Sequence, residues 1–115
     1  MKSTQQILKA AYDLLKDPKH WTQGTQYRNK YEFPCHPKEA VSFCAVGAIF
    51  CQLDTHHYDG DQVAIVHLQQ ASWMLFGKLV QVLNDDLEPS KKIVHQNVLR
   101  VYEKALELCE NDFKS

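Results

Sequence analysis

The sequence predicts an all-α, or mostly α-helical, fold: one compact domain over residues 1–115, with four to five helices and a short irregular or hairpin arm. Apolar residues recur at helical spacing in long segments at both ends of the chain. Glycine and proline are few, four of each, which argues against a turn-rich all-β sandwich. A chain of 115 residues can also bury a core without disulfides or a metal ion.

Residues 3–16 are predicted to form the first helix. Ser3 and Gln6 make a capping-box pattern at its start. Asp17-Pro18 ends it, because proline disfavours the helical conformation of the residue before it.

Residues 18–36 are predicted to form an aromatic arm, either irregular or with a short hairpin across Thr25–Phe33. The segment is long for a structureless loop, so its aromatic side chains are expected to anchor it on the helices. Trp21 is assigned to this packing role.

A central helix is predicted over residues 37–53, with Pro37 in its first turn. Glycine inside a helix costs about 1 kcal/mol relative to alanine, so Gly47 indicates that another group packs closely over it. The residues at helical spacing are Ala40, Phe43, Cys44, Gly47, Ala48 and Cys51.

After a loop at Asp54–Gly60, a long helical segment is predicted from its cap, Asp61, to Leu83, with Gly77 as a point of division. Its expected core stripe is Ile65, Leu68, Ser72, Leu75 and Leu79. Ser90 is the expected cap of the last helix. The inner face of that helix is predicted to carry Val94, Val98, Val101, Ala105 and Leu108.

The formal net charge of −1 gives no global field that would attract nucleic acid, so a nucleic-acid partner is not expected. Charge is nevertheless uneven along the chain. Residues 1–30 carry six Lys/Arg and two acids. These basic residues form either an ordinary solvated surface or a basic surface that binds an acidic partner.

No apolar run approaches the roughly 20 residues of a membrane helix, and the first residues lack the pattern of a signal peptide. No membrane association is therefore expected. The four cysteines are interpreted as free thiols in a reducing compartment, and a cytoplasmic location is predicted.

Several short motifs together resemble an uncharacterised family of short bacterial and bacteriophage proteins, a domain of unknown function. The resemblance implies a helical fold and a microbial or phage context, but no activity. The family usually has a Trp directly before the Asn-Asp pair, where this chain has Leu83. The residues that carry the resemblance are Trp21, Cys44-Ala45-Val46-Gly47-Ala48, Asn84-Asp85, Val98 and Ala105.

Asn84 and Asp85 are the first candidates for chemistry, because this pair can cap or turn the chain or stand at the rim of a ligand pocket. Cys44 is an alternative catalytic residue, with Asp85. A catalytic cysteine needs a lowered pKa, and a buried free cysteine is the commoner case.

A metal site is not expected. Cys35-His36 and His56-His57 are adjacent pairs and lack the Cys-x-x-Cys type of ligand spacing typical of structural zinc. No cofactor is predicted either, since the chain contains no nucleotide-binding or metalloprotease motif.

These observations favour a non-enzymatic binding protein, an accessory protein of a phage or mobile element that engages a host protein. Its partner-binding residues are predicted in the arm, at Tyr27, Arg28 and Tyr31, because aromatic and Arg side chains dominate interface energies. The alternative is a small enzyme or ligand-binding domain with a pocket around Cys44, Asn84 and Asp85.

Overall fold

The first helix, α1 (Thr4–Leu15), begins at a complete capping box in the computed structural model, which describes residues 3–52 and 62–114. Ser3 Oγ accepts the backbone N–H of Gln6 at 3.2 Å, and Gln6 Oε1 accepts the backbone N–H of Ser3 at 2.8 Å. The helix ends ahead of Asp17-Pro18. The predicted start and end of this helix are therefore confirmed.

The last helix, α5 (Lys91–Lys114), packs on α1 and is the longest described element. Ser90 Oγ accepts the N–H of Ile93 at 3.2 Å, which confirms the predicted cap. The buried hydrophobic residues of this helix are Val94, Val98, Val101, Tyr102, Ala105 and Cys109. These residues agree with the predicted inner face, except that Leu108 is only partly buried.

Polar contacts also join α5 to the rest of the domain. His95 Nε2 donates to the carbonyl oxygen of Leu15 over 2.7 Å, and the buried Tyr102 hydroxyl donates to the carbonyl oxygen of Ala45. The Tyr12 hydroxyl of α1 donates to Glu103 over 2.6 Å. This hydrogen bond to a carboxylate raises the pKa of Tyr12 to about 12.

The long helical segment divides at Gly77, as predicted, into α3 (Gln62–Phe76) and α4 (Val80–Asn84). Gly77 takes a φ of +67°, in the left-handed region that glycine adopts most readily. Ser72 Oγ donates to the carbonyl oxygen of Lys78 at 2.6 Å and so closes the turn. The predicted loop Asp54–Gly60 and its neighbour Asp61 lie outside the described residues.

The predicted core stripe of this segment is wrong in part. Leu75 and Leu79 are exposed, and Ile65 is only partly buried. The face of α3 that packs on α1 and α5 carries Leu68 and Ser72, which confirms these two members of the stripe, together with Ala64 and Ala71.

The central helix predicted over residues 37–53 is also wrong. Pro37–Glu39 forms a single 3₁₀ turn, and Ser42–Phe43 is a short strand, β2. Only Gly47–Phe50 is α-helical, as α2. The β-branched Val41 and the aromatic Phe43 fit an extended chain, and the backbone of this segment binds the arm rather than a helical turn.

The arm provides the partner strand, β1 (Tyr27–Arg28), which pairs antiparallel with β2. The N–H of Cys44 also donates to the carbonyl oxygen of Gln26 at 3.0 Å. The short hairpin predicted as one alternative across Thr25–Phe33 is confirmed in part: the chain reverses there, the N–H of Asn29 donates to the carbonyl oxygen of Phe33 at 2.9 Å, and an isolated antiparallel bridge joins Arg28 and Pro34. The regular strand partner of β1 is nevertheless β2, outside the arm.

The mostly α-helical fold class is confirmed, with five α-helices and one two-stranded sheet among the described residues. The arm lies against the helical core through buried aromatic side chains. Trp21 is 5% exposed and contacts the His95 ring at 5.2 Å between centroids, so its predicted packing role is confirmed.

Candidate functional site

Asn84, at the end of α4, is a buried polar hub with 1% of its surface exposed. Its Oδ1 accepts the indole N–H of Trp21 at 2.7 Å and the backbone N–H of Ala45 at 3.0 Å. Its Nδ2 donates to the carbonyl oxygen of Thr22 and to Asp85 Oδ1, both at 3.0 Å. Every hydrogen-bonding site of the amide is thus used inside the protein.

Asp85 continues this network toward the surface. Its Oδ1 also accepts the backbone N–H of Gly24 at 2.9 Å, and Gln23 Nε2 donates to the carbonyl oxygen of Asn84 at 2.9 Å. The Asn-Asp pair therefore ties α4 to the arm and to the turn before α2. Asn84 is a structural residue, while Asp85 is exposed and also faces a cleft.

The cleft brings together Cys44, Asn84 and Asp85, the residues of the predicted pocket. Cys44 Sγ accepts the N–H of Gly47 at 3.3 Å. Burial raises the pKa of the Cys44 thiol, and the negative charge of Asp85 raises it further. Among the lining residues that the structure describes there is no histidine to act as a base, and His56 and His57 lie outside the described residues.

The Cys44 thiol is expected to react at neutral pH about tenfold more slowly in the native protein than in the denatured chain, since the thiolate is the reactive form. Because burial raises its pKa, the thiolate fraction at neutral pH is lower than in an unburied cysteine, and labelling should accelerate only at higher pH. Iodoacetamide labelling followed by site-resolved mass spectrometry measures this. Cys35, in the arm, is the comparison and should react before the buried Cys109. Fast labelling of Cys44 at neutral pH would contradict the expectation and favour the enzyme alternative.

The arm residues predicted to bind a partner do not share one face. Tyr27 is 9% exposed and packs edge-on against Phe43, with 6.0 Å between ring centroids. Tyr31 is 67% exposed. The two tyrosines of the predicted binding set therefore lie apart, because strand pairing with β2 turns Tyr27 into the core. Tyr31 remains a candidate partner-binding residue, because its side chain is exposed.

The Arg28 side chain stabilises the arm by hydrogen bonds to other arm residues. Its Nε donates to Thr22 Oγ1 at 2.7 Å, and its terminal nitrogens donate to the carbonyl oxygens of Glu32 at 2.9 Å and Gln23 at 3.0 Å. The guanidinium thus positions the turn that carries Tyr31, and its charge has no carboxylate partner among the described residues.

The turn itself is held by Asn29, whose Oδ1 accepts the N–H groups of Tyr31 at 2.9 Å and Phe33 at 3.2 Å. Glu32 takes a φ of +68° there, a left-handed conformation that costs a non-glycine residue about 1–2 kcal/mol. The result is a fixed turn with two exposed rings, Tyr31 and Phe33.

Beside this turn lies a polar cleft of about 520 Å³ with four cationic side chains on its walls. Its one carboxylate is Glu32, and no ion pair involves the four cations within the described part of the chain. The cations are Lys19, Arg28, Lys30 and Lys91. We call this the basic cleft. The excess of basic residues over 1–30 indicated three of these cations, but Lys91 comes from the far end of the sequence, and only the fold could place it here.

A second exposed surface was missed by the sequence analysis. The outer face of α3 exposes large apolar side chains at helical spacing, at Val63, Val66, Trp73 and Met74. Since α3 is apolar nearly all round, the sequence pattern could not tell its inner face from its outer one.

Within residues 3–52 and 62–110, no three His, Cys, Asp or Glu side chains converge in a way that could hold a metal ion. None of the described helices is long and apolar enough to cross a membrane.

Comparison with known proteins gives one match. No curated protein matches the chain, and no solved structure matches it. A family model covers residues 1–106, a range that includes the Asn84 hub, both clefts and the arm. The chain therefore belongs to the family of unknown function DUF6197.

Proposed function

We propose that the chain is a non-enzymatic protein-binding domain whose arm binds an acidic segment of its partner. The observation that carries this proposal is the juxtaposition of two exposed rings with a cluster of cations that form no ion pair with any described residue. Tyr31 and Phe33 are 67% and 65% exposed, and the basic cleft adjoins them.

The arrangement suits protein recognition. A ring presented on a turn that is already ordered loses little conformational entropy when it binds, and a few aromatic anchors supply most of the energy of many interfaces. Four cations against one carboxylate give the surface a positive potential that complements Asp and Glu side chains. Lys30 Nζ already lies 5.1 Å from the centre of the Tyr31 ring, so charge and aromatic surface act at one place.

A protein fits this surface better than a nucleic acid. Polyphosphate binding rests on a strong and extended positive field, whereas the whole chain carries a net charge of −1. We place the protein in the setting that the sequence resemblance implies, as an accessory protein of a phage or mobile element that engages a host protein. None of the four cysteines forms a disulfide, which fits the reducing cytoplasm of such a host.

Replacing Lys30 with glutamate and Tyr31 with alanine together is expected to weaken partner binding by about 100-fold, since both an anchor ring and a favourable charge are lost. Both side chains are exposed, so the thermal midpoint should stay close to that of the wild type. The measurement is a pull-down from bacterial lysate, followed by a titration of the captured protein at several salt concentrations. Binding to the wild type should weaken as salt rises.

The matched control is the double variant Trp73→Ala and Met74→Ala on the outer face of α3, which leaves the arm intact. Loss of the captured protein with the α3 variant but not with the arm variant would contradict the proposal and move the interface to α3. Capture that nuclease treatment abolishes would show that the basic cleft binds nucleic acid instead.

A further inference from the structure

A second cleft, on another side of the arm, has the size and the chemistry of a small-molecule site. It has a volume of about 420 Å³ and lies between arm residues 24–26, the turn 44–46 and helices α2, α3 and α4. Pockets of this size suffice for small organic ligands. Its inner end is formed by fully buried groups, with Ala45 and Asn84 at 0% and 1% exposure.

Both apolar and polar side chains line the cleft. Val46, Phe50 and Ile65 supply an apolar surface, while Thr25, Gln26 and Gln81 supply neutral polar groups. Asp85 is the one charged side chain among the described lining residues. The described lining of the cleft therefore combines a single formal negative charge with apolar side chains.

The carboxylate of Asp85 is held in place by one of its oxygens only. Oδ1 accepts N–H groups from Gly24 at 2.9 Å and from Asn84 at 3.0 Å. Oδ2 has no hydrogen-bond partner, and the carboxylate makes no ion pair, among the residues that the structure describes. An oriented carboxylate with one unused oxygen is a ready acceptor for a cationic donor.

Cys44 does not change this charge balance. The buried thiol, whose pKa is raised, stays neutral at physiological pH and contributes a weakly polar surface rather than a second anion or a nucleophile.

We propose that this cleft binds a small organic cation: an amine or amidine whose charged group donates to Asp85 Oδ2 and whose apolar body packs on Val46, Phe50 and Ile65. This site is separate from the arm surface proposed to bind a protein, and the two can be tested independently.

The test uses benzylamine as the probe, with benzyl alcohol and benzoate as neutral and anionic compounds of similar size. Chemical-shift titration of the full chain should show benzylamine binding with a dissociation constant of about 1 mM or tighter. Benzyl alcohol should bind about tenfold more weakly, since it lacks the charge-assisted hydrogen bond, and benzoate should not bind. Benzylamine should also slow the alkylation of Cys44, which lines the cleft.

Two variants, Asp85→Asn and Gln81→Glu, test whether a carboxylate in the cleft binds the cationic group of benzylamine. Asp85→Asn keeps an Oδ1 acceptor for Gly24 and Asn84 but removes the charge, and should weaken benzylamine binding about tenfold. Its control is Asp86→Asn, because Asp86 pairs with Lys78 at 2.9 Å and does not line the cleft. Gln81→Glu adds a carboxylate at the rim and should tighten binding severalfold.

Equal binding of all three compounds, unchanged affinity in both Asp85→Asn and Gln81→Glu, or no shift at concentrations about tenfold above the expected constant would each overturn the proposal. If the melting temperature of Asp85→Asn lies well below that of the wild type, the benzylamine affinity of Gln81→Glu alone tests the proposal, since Gln81 is exposed and its substitution should not disturb the fold.

Discussion

Asn84→Ala is expected to destabilise the domain by about 3–5 kcal/mol, because the change strands several buried polar groups at once. The indole N–H of Trp21, the N–H of Ala45 and the carbonyl oxygen of Thr22 all lose their partner. An unsatisfied buried group costs about 1–3 kcal/mol, and alanine leaves no side-chain atom able to replace the amide. Urea denaturation followed by circular dichroism measures the loss.

The matched control is Asn29→Ala, in the arm. Asn29 also binds two backbone N–H groups, at 2.9 and 3.2 Å, but in an exposed turn where water can replace the lost amide. It should cost about 1 kcal/mol. If the two alanine variants lose similar stability, burial of the Asn84 amide is not what makes it important, and the hub loses its structural role.

The elements that the sequence predicted well are those governed by local signals. The capping box of Ser3 and Gln6, the cap at Ser90 and the break at Gly77 all depend on residues within one turn of each other. The apolar stripe of α5 was also readable, because polar residues fill its opposite face and leave only one way to orient it.

The elements that failed are those decided by distant parts of the chain. Residues 37–53 carry small and apolar residues that suit a helix as well as a buried extended segment, and periodicity alone cannot separate the two. Here the backbone of the arm decides, since Cys44 and Phe43 bind Gln26 and Tyr27 across the sheet. The burial of Tyr27 could not be predicted for the same reason, since it depends on β2, a strand in a segment whose sequence pattern also suits a helix.

One of the two clefts could be predicted from the sequence and the other could not. The sequence predicted a pocket around Cys44, Asn84 and Asp85, and these residues do line one cleft, although the amide of Asn84 is fully used in holding the fold. The basic cleft needed Lys91 beside Lys19 and Lys30, and no spacing in the sequence relates these positions.

Gly47→Ala is expected to cost about 2–3 kcal/mol, although alanine is intrinsically the better helix former by about 1 kcal/mol. A Cβ at this position would stand 2.6 Å from the carbonyl oxygen of Gln26 and 3.3 Å from Cε1 of Tyr27. The close neighbour predicted for Gly47 is thus the backbone of the arm, not a second helix. That carbonyl oxygen accepts the N–H of Cys44 at 3.0 Å, so it cannot retreat without weakening the junction between β1 and β2.

Gly77→Ala separates this contact from the general effect of replacing a glycine. Apart from its chain neighbours, no residue that the structure describes lies within 4 Å of a Cβ at Gly77, but its φ of +67° is unfavourable for alanine, and the expected cost is about 1 kcal/mol. Thermal melts should therefore rank wild type above Gly77→Ala and Gly77→Ala above Gly47→Ala. Gly47→Leu should lose more again, because its longer side chain meets the same carbonyl oxygen. A Gly47→Ala variant as stable as the wild type would mean that the arm can move away from α2 at little cost. The arm would then not be rigid, and the proposed interface, which depends on an ordered arm, would lose its support.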